Sequence, residues 1–147
     1  MHIRPADASD LTTLAVLFDG YRRFYGQSAD LSACTAFMQE RLDAGDSRIL
    51  IAVDESGEGL GFTQLYPSFS SVRMRPVWIL NDLFVAPSAR GGGVASALMT
   101  AAADWAASAD VAALSLETAR DNAAARALYE KLGWQLDTEF DRYTVNL

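Results

Sequence analysis

Apolar side chains near the N terminus recur at helical spacing. They repeat every three or four positions from residue 11 to 25 and again from 34 to 42. Asp7 can cap the first stretch, and Gly45 is placed to end the second. Residues 3–5 form an edge-strand candidate that ends in proline. This pattern predicts a short strand followed by two consecutive helices.

Beyond residue 48 the apolar pattern becomes that of strands. Residues 49–53 and 60–69 flank a glycine-containing turn and predict an antiparallel hairpin. A third strand, 77–85, is apolar on both faces, as is typical of the centre of a sheet. It is interrupted by Asn81 and Asp82, whose burial would be costly without partners or a task.

The second half of the chain alternates helices and strands. Helices are predicted at 94–105 and 122–132, and strands at 111–117, 134–136 and 143–147. The step from the third strand through a helix to the next strand should be a right-handed parallel crossover. The pattern predicts one mixed α/β domain covering residues 1–147, with about seven strands in a mostly antiparallel sheet and four flanking helices.

Composition removes several classes of function. The 147 residues are half apolar, and no apolar run is long enough to span a membrane. No secretory signal is visible, so we expect a cytoplasmic protein. Because Cys34 is the only cysteine and His2 the only histidine, a disulfide, a zinc site and a histidine-based triad are disfavoured. A general base would then be a carboxylate, a tyrosine, a lysine, the chain terminus or water.

The chain is acidic, with a formal net charge of −7. This charge argues against nucleic acid as a partner and favours cationic substrates through long-range attraction. An acidic surface that only maintains solubility explains the same charge equally well.

A glycine-rich loop is the strongest chemical signal in the sequence. Residues 86–98 have the sequence APSARGGGVASAL, in which three glycines lie between a strand end and a helix start. Free amides at a helix start bind anions, and Arg90 adds a positive charge, so the loop predicts a phosphate site. A nucleotide P-loop would need lysine and then serine or threonine where Val94 and Ala95 stand. A dinucleotide fingerprint would need glycine at Ser96.

Two segments resemble the GCN5-related N-acetyltransferase (GNAT) family. Residues 90–95, RGGGVA, resemble its Arg/Gln-x-x-Gly-x-Gly/Ala motif for the coenzyme A pyrophosphate. Residues 122–134 are similar to its Asn-x-x-Ala-x-x-Leu-Tyr-x-Lys-x-Gly-Phe segment. The two motifs lie about thirty residues apart with a strand between them, which makes the pair more specific than either motif alone. The resemblance implies the GNAT fold, in which the parallel central strands splay apart.

The resemblance also implies a site for acetyl-CoA as cosubstrate, with no metal. The pantetheine arm would lie between the splayed strands and pair with the strand before the loop. The implied residues are Leu83, Phe84 and Val85 for that pairing, Arg90, Gly91, Gly92, Gly93, Val94, Ala95 and Ser96 for the pyrophosphate, Asn122 for the coenzyme arm and Tyr129 beside the sulfur.

Acetyl transfer to an amine requires a base, and an acid assists the departing thiolate. Tyr129 is the candidate acid, although it also completes the apolar stripe of its helix. The segment 81–85 resembles the diamine acetyltransferase branch, which usually has glutamate and then aspartate at its start. Asn81 cannot be a base and would orient substrate or water, which leaves Asp82 or another group such as Glu117. Asp82 is otherwise a buried acceptor for backbone amides or an arginine.

Three tyrosines are candidates for the acceptor pocket: Tyr21, Tyr25 and Tyr66. The first two also fit the core face of a helix, whereas an aromatic lining could hold an ammonium group. The leading hypothesis is acetylation of a small cationic amine. The alternatives are a protein lysine or N-terminal acetyltransferase and a non-catalytic acyl-CoA sensor. Dimers are frequent in the family, so a homodimer is one expected form.

Overall fold

The structure is a computed structural model that describes residues 1–147. The chain separates into two compact units, Met1–Glu117 and Thr118–Leu147. None of the helices combines the length and the hydrophobicity that a membrane-spanning segment requires.

The first unit is built on one five-stranded sheet. Its strands, in both chain and spatial order, are β1 (His2–Pro5), β2 (Arg48–Val53), β3 (Gly59–Ser70), β4 (Arg75–Val85) and β5 (Leu114–Ser115). Neighbours from β1 to β4 are antiparallel, and β5 is parallel to β4. The predicted mixed sheet and its parallel crossover are therefore confirmed.

Three helices pack on this sheet: α1 (Leu11–Phe24), α2 (Leu31–Ala44) and α3 (Val94–Ser108). Gly45 ends α2 with a left-handed φ of 61°, as its position after the apolar stripe predicted. Helices α1 and α2 share a core cluster with Phe62 of β3. The adjacent Gly61 faces Leu98 of α3, so the helices cover opposite faces of the sheet.

A β-bulge interrupts the pairing of β3 with β4. Gln64 pairs with Asp82 and Leu65 pairs with Leu80, which leaves Asn81 as the extra residue. Trp78 before the bulge packs edge to face on Trp105 of α3 at 5.7 Å. Phe84 after the bulge belongs to the α1–α2 core cluster. The bulge thus switches the face of the sheet on which the buried side chains of β4 lie, from the α3 side to the α1–α2 side.

The parallel strands stay together only briefly. β5 pairs with β4 at Trp78 and Ile79, and from Leu80 onward β4 pairs with β3 alone. The stretch from Leu80 to Val85 therefore has one open edge. This divergence agrees with the splayed pair that the resemblance implied.

The second unit contains one helix, α4 (Ala123–Lys131), whose N-cap is Asn122. The strands predicted at 134–136 and 143–147 are wrong, because these residues pair with no strand and most of their side chains are exposed. The strand predicted at 111–117 shortens to Leu114–Ser115. Alternating apolar residues form a strand only where a partner ladder exists. The sheet accordingly has five strands instead of about seven.

Gly61 should be essential to the pairing of β3 with β4. A Cβ atom at this position would lie 2.6 Å from the backbone oxygen of Phe84. We expect Gly61→Ala to lower the free energy of unfolding by about 1–3 kcal/mol, since the strands must move apart. Urea denaturation followed by circular dichroism measures this loss.

Gly92→Ala is the matched control for that change. Its added Cβ would lie 3.6 Å from the nearest atom, the carbonyl oxygen of Ala89, an ordinary contact. The control should change stability by less than about 0.5 kcal/mol. Equal stability of the two variants would contradict the close approach at Gly61.

Candidate functional site

The bulge places Asp82 inside the first unit with two side-chain partners. The residue is 2% exposed. Its Oδ2 accepts a hydrogen bond from Nε2 of Gln64 at 2.6 Å, and its Oδ1 accepts one from Nδ2 of Asn81 at 2.8 Å. Asp82 is therefore a buried acceptor, but its partners are side-chain amides instead of the backbone amides or arginine considered from the sequence.

Gln64 extends this group to the start of β2. It is 0% exposed, and its Oε1 accepts from Oγ of Ser47 at 2.9 Å. The neighbouring Thr63 donates from Oγ1 to the backbone oxygen of Asp82 at 2.8 Å. These residues were not among the site residues predicted from the sequence. The available signal was the polar pair Thr63–Gln64 inside an otherwise apolar strand.

Burial raises the pKa of the Asp82 carboxyl above its ordinary value. Hydrogen bonds from Gln64 and Asn81, and the nearby Tyr21 hydroxyl, lower this pKa, because they stabilise the ionised form. A carboxylate whose pKa is raised is a stronger proton acceptor than one in water. The environment of Asp82 thus suits a base.

Two of the predicted pocket tyrosines lie close enough to be influenced by Asp82. The Tyr21 hydroxyl donates to the backbone oxygen of Asn81 at 3.1 Å. Burial and then the charge of Asp82 raise the pKa of Tyr21, and the same two causes raise the pKa of Tyr66 to about 12. Both hydroxyls stay protonated at neutral pH, so neither is a candidate base.

Tyr25 lies farther out. Its ring contacts Tyr21 edge to face at 5.0 Å, and the residue is 55% exposed. The structure therefore brings Asn81, Asp82, Tyr21 and Tyr66 together and leaves Tyr25 at the rim of the aromatic group.

The glycine-rich loop has the backbone conformation that an anion site requires. Gly91 and Gly93 have left-handed φ values of 82° and 80°. Gly93 is the N-cap of α3, where no side chain caps the helix and the first turn holds no acidic residue. Val94 is buried, while Ala95 and Ser96 are partly buried. The first amides of α3 are thus left to a ligand, and the loop fits a diphosphate.

Arg90 is held beside this loop by three contacts. Its Nε donates to the backbone oxygen of Val85 at 3.1 Å. Its guanidinium lies 5.8 Å from the ring centre of Phe24 and 5.6 Å from that of Phe84. Within 83–85, the stretch expected to pair with the pantetheine arm, Leu83 is partly buried and Phe84 faces the core. The carbonyl oxygen of Val85 in this stretch already accepts the hydrogen bond from Arg90.

The second unit holds the remaining predicted residues. Asn122 accepts from the backbone amide of Ala125 at 3.4 Å, and its Nδ2 lies 3.5 Å from Oγ1 of Thr118. The ring of Tyr129 lies 6.3 Å from that of Trp134. Glu117, the alternative base, is exposed at the end of the first unit. Asn122 therefore has a capping role within its own unit.

Comparison with known proteins gives concordant results. The model of the acetyltransferase (GNAT) family matches residues 14–134. YhfO of Bacillus subtilis, an uncharacterised N-acetyltransferase, is 48% identical over 147 residues, which cover 100% of this chain and 98% of YhfO. A probable acetyltransferase of Haemophilus influenzae is 33% identical over 105 residues, which cover 71% of this chain and 72% of that protein.

A solved structure agrees as well. The crystal structure of a probable acetyltransferase superposes with a TM-score of 0.95 at 40% identity, covering 100% of this chain and 98% of that one. Together with the uncapped glycine loop and the divergent parallel strands, these matches show that the chain belongs to the GNAT family and is an acyl-CoA-dependent acetyltransferase.

Proposed function

We propose that this chain transfers the acetyl group of acetyl-CoA to the primary amine of a small cationic metabolite. The buried Asp82 carboxylate, placed by the bulge next to the exposed Asn81, is the observation on which this proposal depends. The amine attacks the thioester directly in a ternary complex. A new C–N bond forms, the C–S bond breaks, and coenzyme A leaves as the thiolate.

The coenzyme would be held mainly by backbone groups. The free amides at the start of α3 and the Arg90 guanidinium suit the pyrophosphate. The open edge of β4 from Leu83 to Val85 suits the amides of the pantetheine arm, except for the Val85 carbonyl oxygen, which accepts from Arg90. The family motif supports Asn122 as a further contact and Tyr129 as the acid that protonates the departing thiolate.

The acceptor must lose a proton before or during attack. An amine of lysine type has a pKa of about 10.4, so nearly all of it is protonated at neutral pH. Both Asp82 oxygens accept amides and the residue is nearly inaccessible, so we propose that Asp82 takes this proton through a water molecule. Asn81 is exposed and would orient the amine or that water.

Charge and aromatic groups favour a cationic acceptor. The chain has a net charge of −7, and the Asp82 carboxylate has no cationic partner among its hydrogen bonds. Tyr21 and Tyr25 offer aromatic faces that attract an ammonium group. These features suit a small cationic amine, as in the small-amine branch of the family, better than a neutral acceptor.

A panel of acceptors tests the proposed function. Release of free thiol from acetyl-CoA should rise with polyamines or other small cationic amines. It should stay near background with peptides that carry lysine or a free N terminus. Faster turnover with peptides would favour a protein acetyltransferase, and binding of acetyl-CoA without turnover on any amine would favour a sensor.

Arg90→Ala should weaken acetyl-CoA binding about ten- to a hundredfold, because a hydrogen-bonding charge at the pyrophosphate is lost. Isothermal titration calorimetry measures the dissociation constant. Arg73→Ala removes the same charge from the exposed turn between β3 and β4 and is the matched control. Acetyl-pantetheine, which lacks the diphosphate, should bind wild type and Arg90→Ala equally. A parallel loss for this truncated ligand would contradict the assignment.

Asp82→Asn should lower kcat about 10²- to 10⁴-fold, since an amide cannot accept the amine proton. In the wild type, activity should fall as pH drops through the raised pKa of Asp82, and this acidic limb should be absent from the variant. Steady-state pH profiles measure both effects. Asp104→Asn, on the exposed side of α3, is the charge-matched control. An unchanged profile for Asp82→Asn would exclude Asp82 as the base.

A further inference from the structure

The hydrogen bonds around Asp82 form a chain of side chains in which each group donates to the next and the last acceptor is the Asp82 carboxylate. Ser47 donates to Gln64, Gln64 donates to Asp82, and Asn81 donates to Asp82 from the other side. The distances are 2.9, 2.6 and 2.8 Å. The family motifs identified in the sequence include neither Ser47 nor Gln64.

The direction of this chain is the one that an ionised Asp82 requires. A carboxylate only accepts hydrogen bonds, so the Gln64 amide must turn its nitrogen toward Asp82. Its oxygen then faces the opposite way, where the Ser47 hydroxyl donates to it. Ser47 therefore stabilises the one amide orientation in which Gln64 supports the ionised carboxylate.

The same constraint fixes the amide of Asn81. Because its nitrogen donates to Asp82, its side-chain oxygen remains as an acceptor on an exposed residue. An acceptor in this place suits the N–H group of an amine. A protonated Asp82 would donate instead, and the preference for this orientation of Asn81 would be lost.

The buried carboxylate of Asp82 is stabilised by neutral hydrogen-bond donors instead of by a cation. Its side-chain donors are Gln64 from β3 and Asn81 from its own strand, and the Tyr21 hydroxyl of α1 lies nearby, bonded to the backbone oxygen of Asn81. Tyr66 of β3 also senses its charge, and Arg41 of α2 and Asp46 act on Tyr66. No cation offsets the cost of burying this carboxylate, so the amide donors must do so.

We propose that Gln64, anchored by Ser47, is a positioning residue that keeps the Asp82 carboxylate ionised and the oxygen of Asn81 directed toward the acceptor amine. Gln64 is fully buried and acts through Asp82 without touching substrate. This inference rests on the proposed role of Asp82. Its structural part, the control of the ionised state by Gln64, can be measured without turnover.

The test compares Gln64→Met with Thr63→Val in the full-length chain. Both positions are 0% exposed, but Thr63 donates only to the backbone oxygen of Asp82. Carbon-13 NMR follows titration of the Asp82 carboxyl, whose signal is assigned with Asp82→Asn. Gln64→Met should move the midpoint upward by at least about one pH unit, because a donor to the charged form is lost. Thr63→Val should leave the midpoint in place.

Kinetics supply the second readout. In Gln64→Met the acidic limb of kcat should move to higher pH by the same amount as the NMR midpoint, and turnover should recover at alkaline pH. Recovery with pH distinguishes loss of positioning from general damage to the fold. Ser47→Ala, at a partly exposed position, should produce a smaller shift in the same direction and covers the case in which Gln64→Met does not fold.

Each outcome decides between the two proposals. A shift of both the NMR midpoint and the kinetic limb supports both. A shift of the midpoint without the limb supports control of Asp82 by Gln64 and overturns Asp82 as the base. An unchanged midpoint in both Gln64→Met and Ser47→Ala, or an equal shift in Thr63→Val, overturns the role of Gln64.

Discussion

The bulge at Asn81, opposite Gln64, is the constraint on which the rest of the first unit depends. One extra residue turns β4 over, so that Trp78 packs toward α3 and Phe84 packs toward α1 and α2. The same residue sets Asp82 against Gln64 in the interior. A single irregularity in the ladder therefore serves the packing of both faces and the placement of the carboxylate.

Local signals in the sequence predicted most of the elements. Gly45 ends α2 as expected, whereas Asp7 caps the short 3-10 turn Ala8–Asp10 that precedes α1 instead of capping α1 itself. The glycine loop is equally local, because a left-handed φ at Gly91 and Gly93 is a property of the residue type. Such features need no knowledge of distant neighbours.

Features that depend on pairing were harder to predict. Alternating apolar residues near Leu136 and Tyr143 resemble strands, yet no partner ladder receives them. The partners of Asp82 could not be identified either, since Gln64 lies in another strand and meets it only through the register of the bulge. A sequence shows that a buried carboxylate needs donors, but the fold decides which residues provide them.

The two halves of the proposed site differ in the kind of atom that recognises a ligand. The loop before α3 offers main-chain amides, whereas the surroundings of Asp82 consist of side chains from α1, β3 and β4. Main-chain donors persist through most substitutions that preserve the local conformation. A substitution at a residue around Asp82, in contrast, replaces the recognising group itself. A scaffold arranged in this way can acquire new acceptor specificities through evolution, while the main-chain site for the common acyl donor is inherited unchanged.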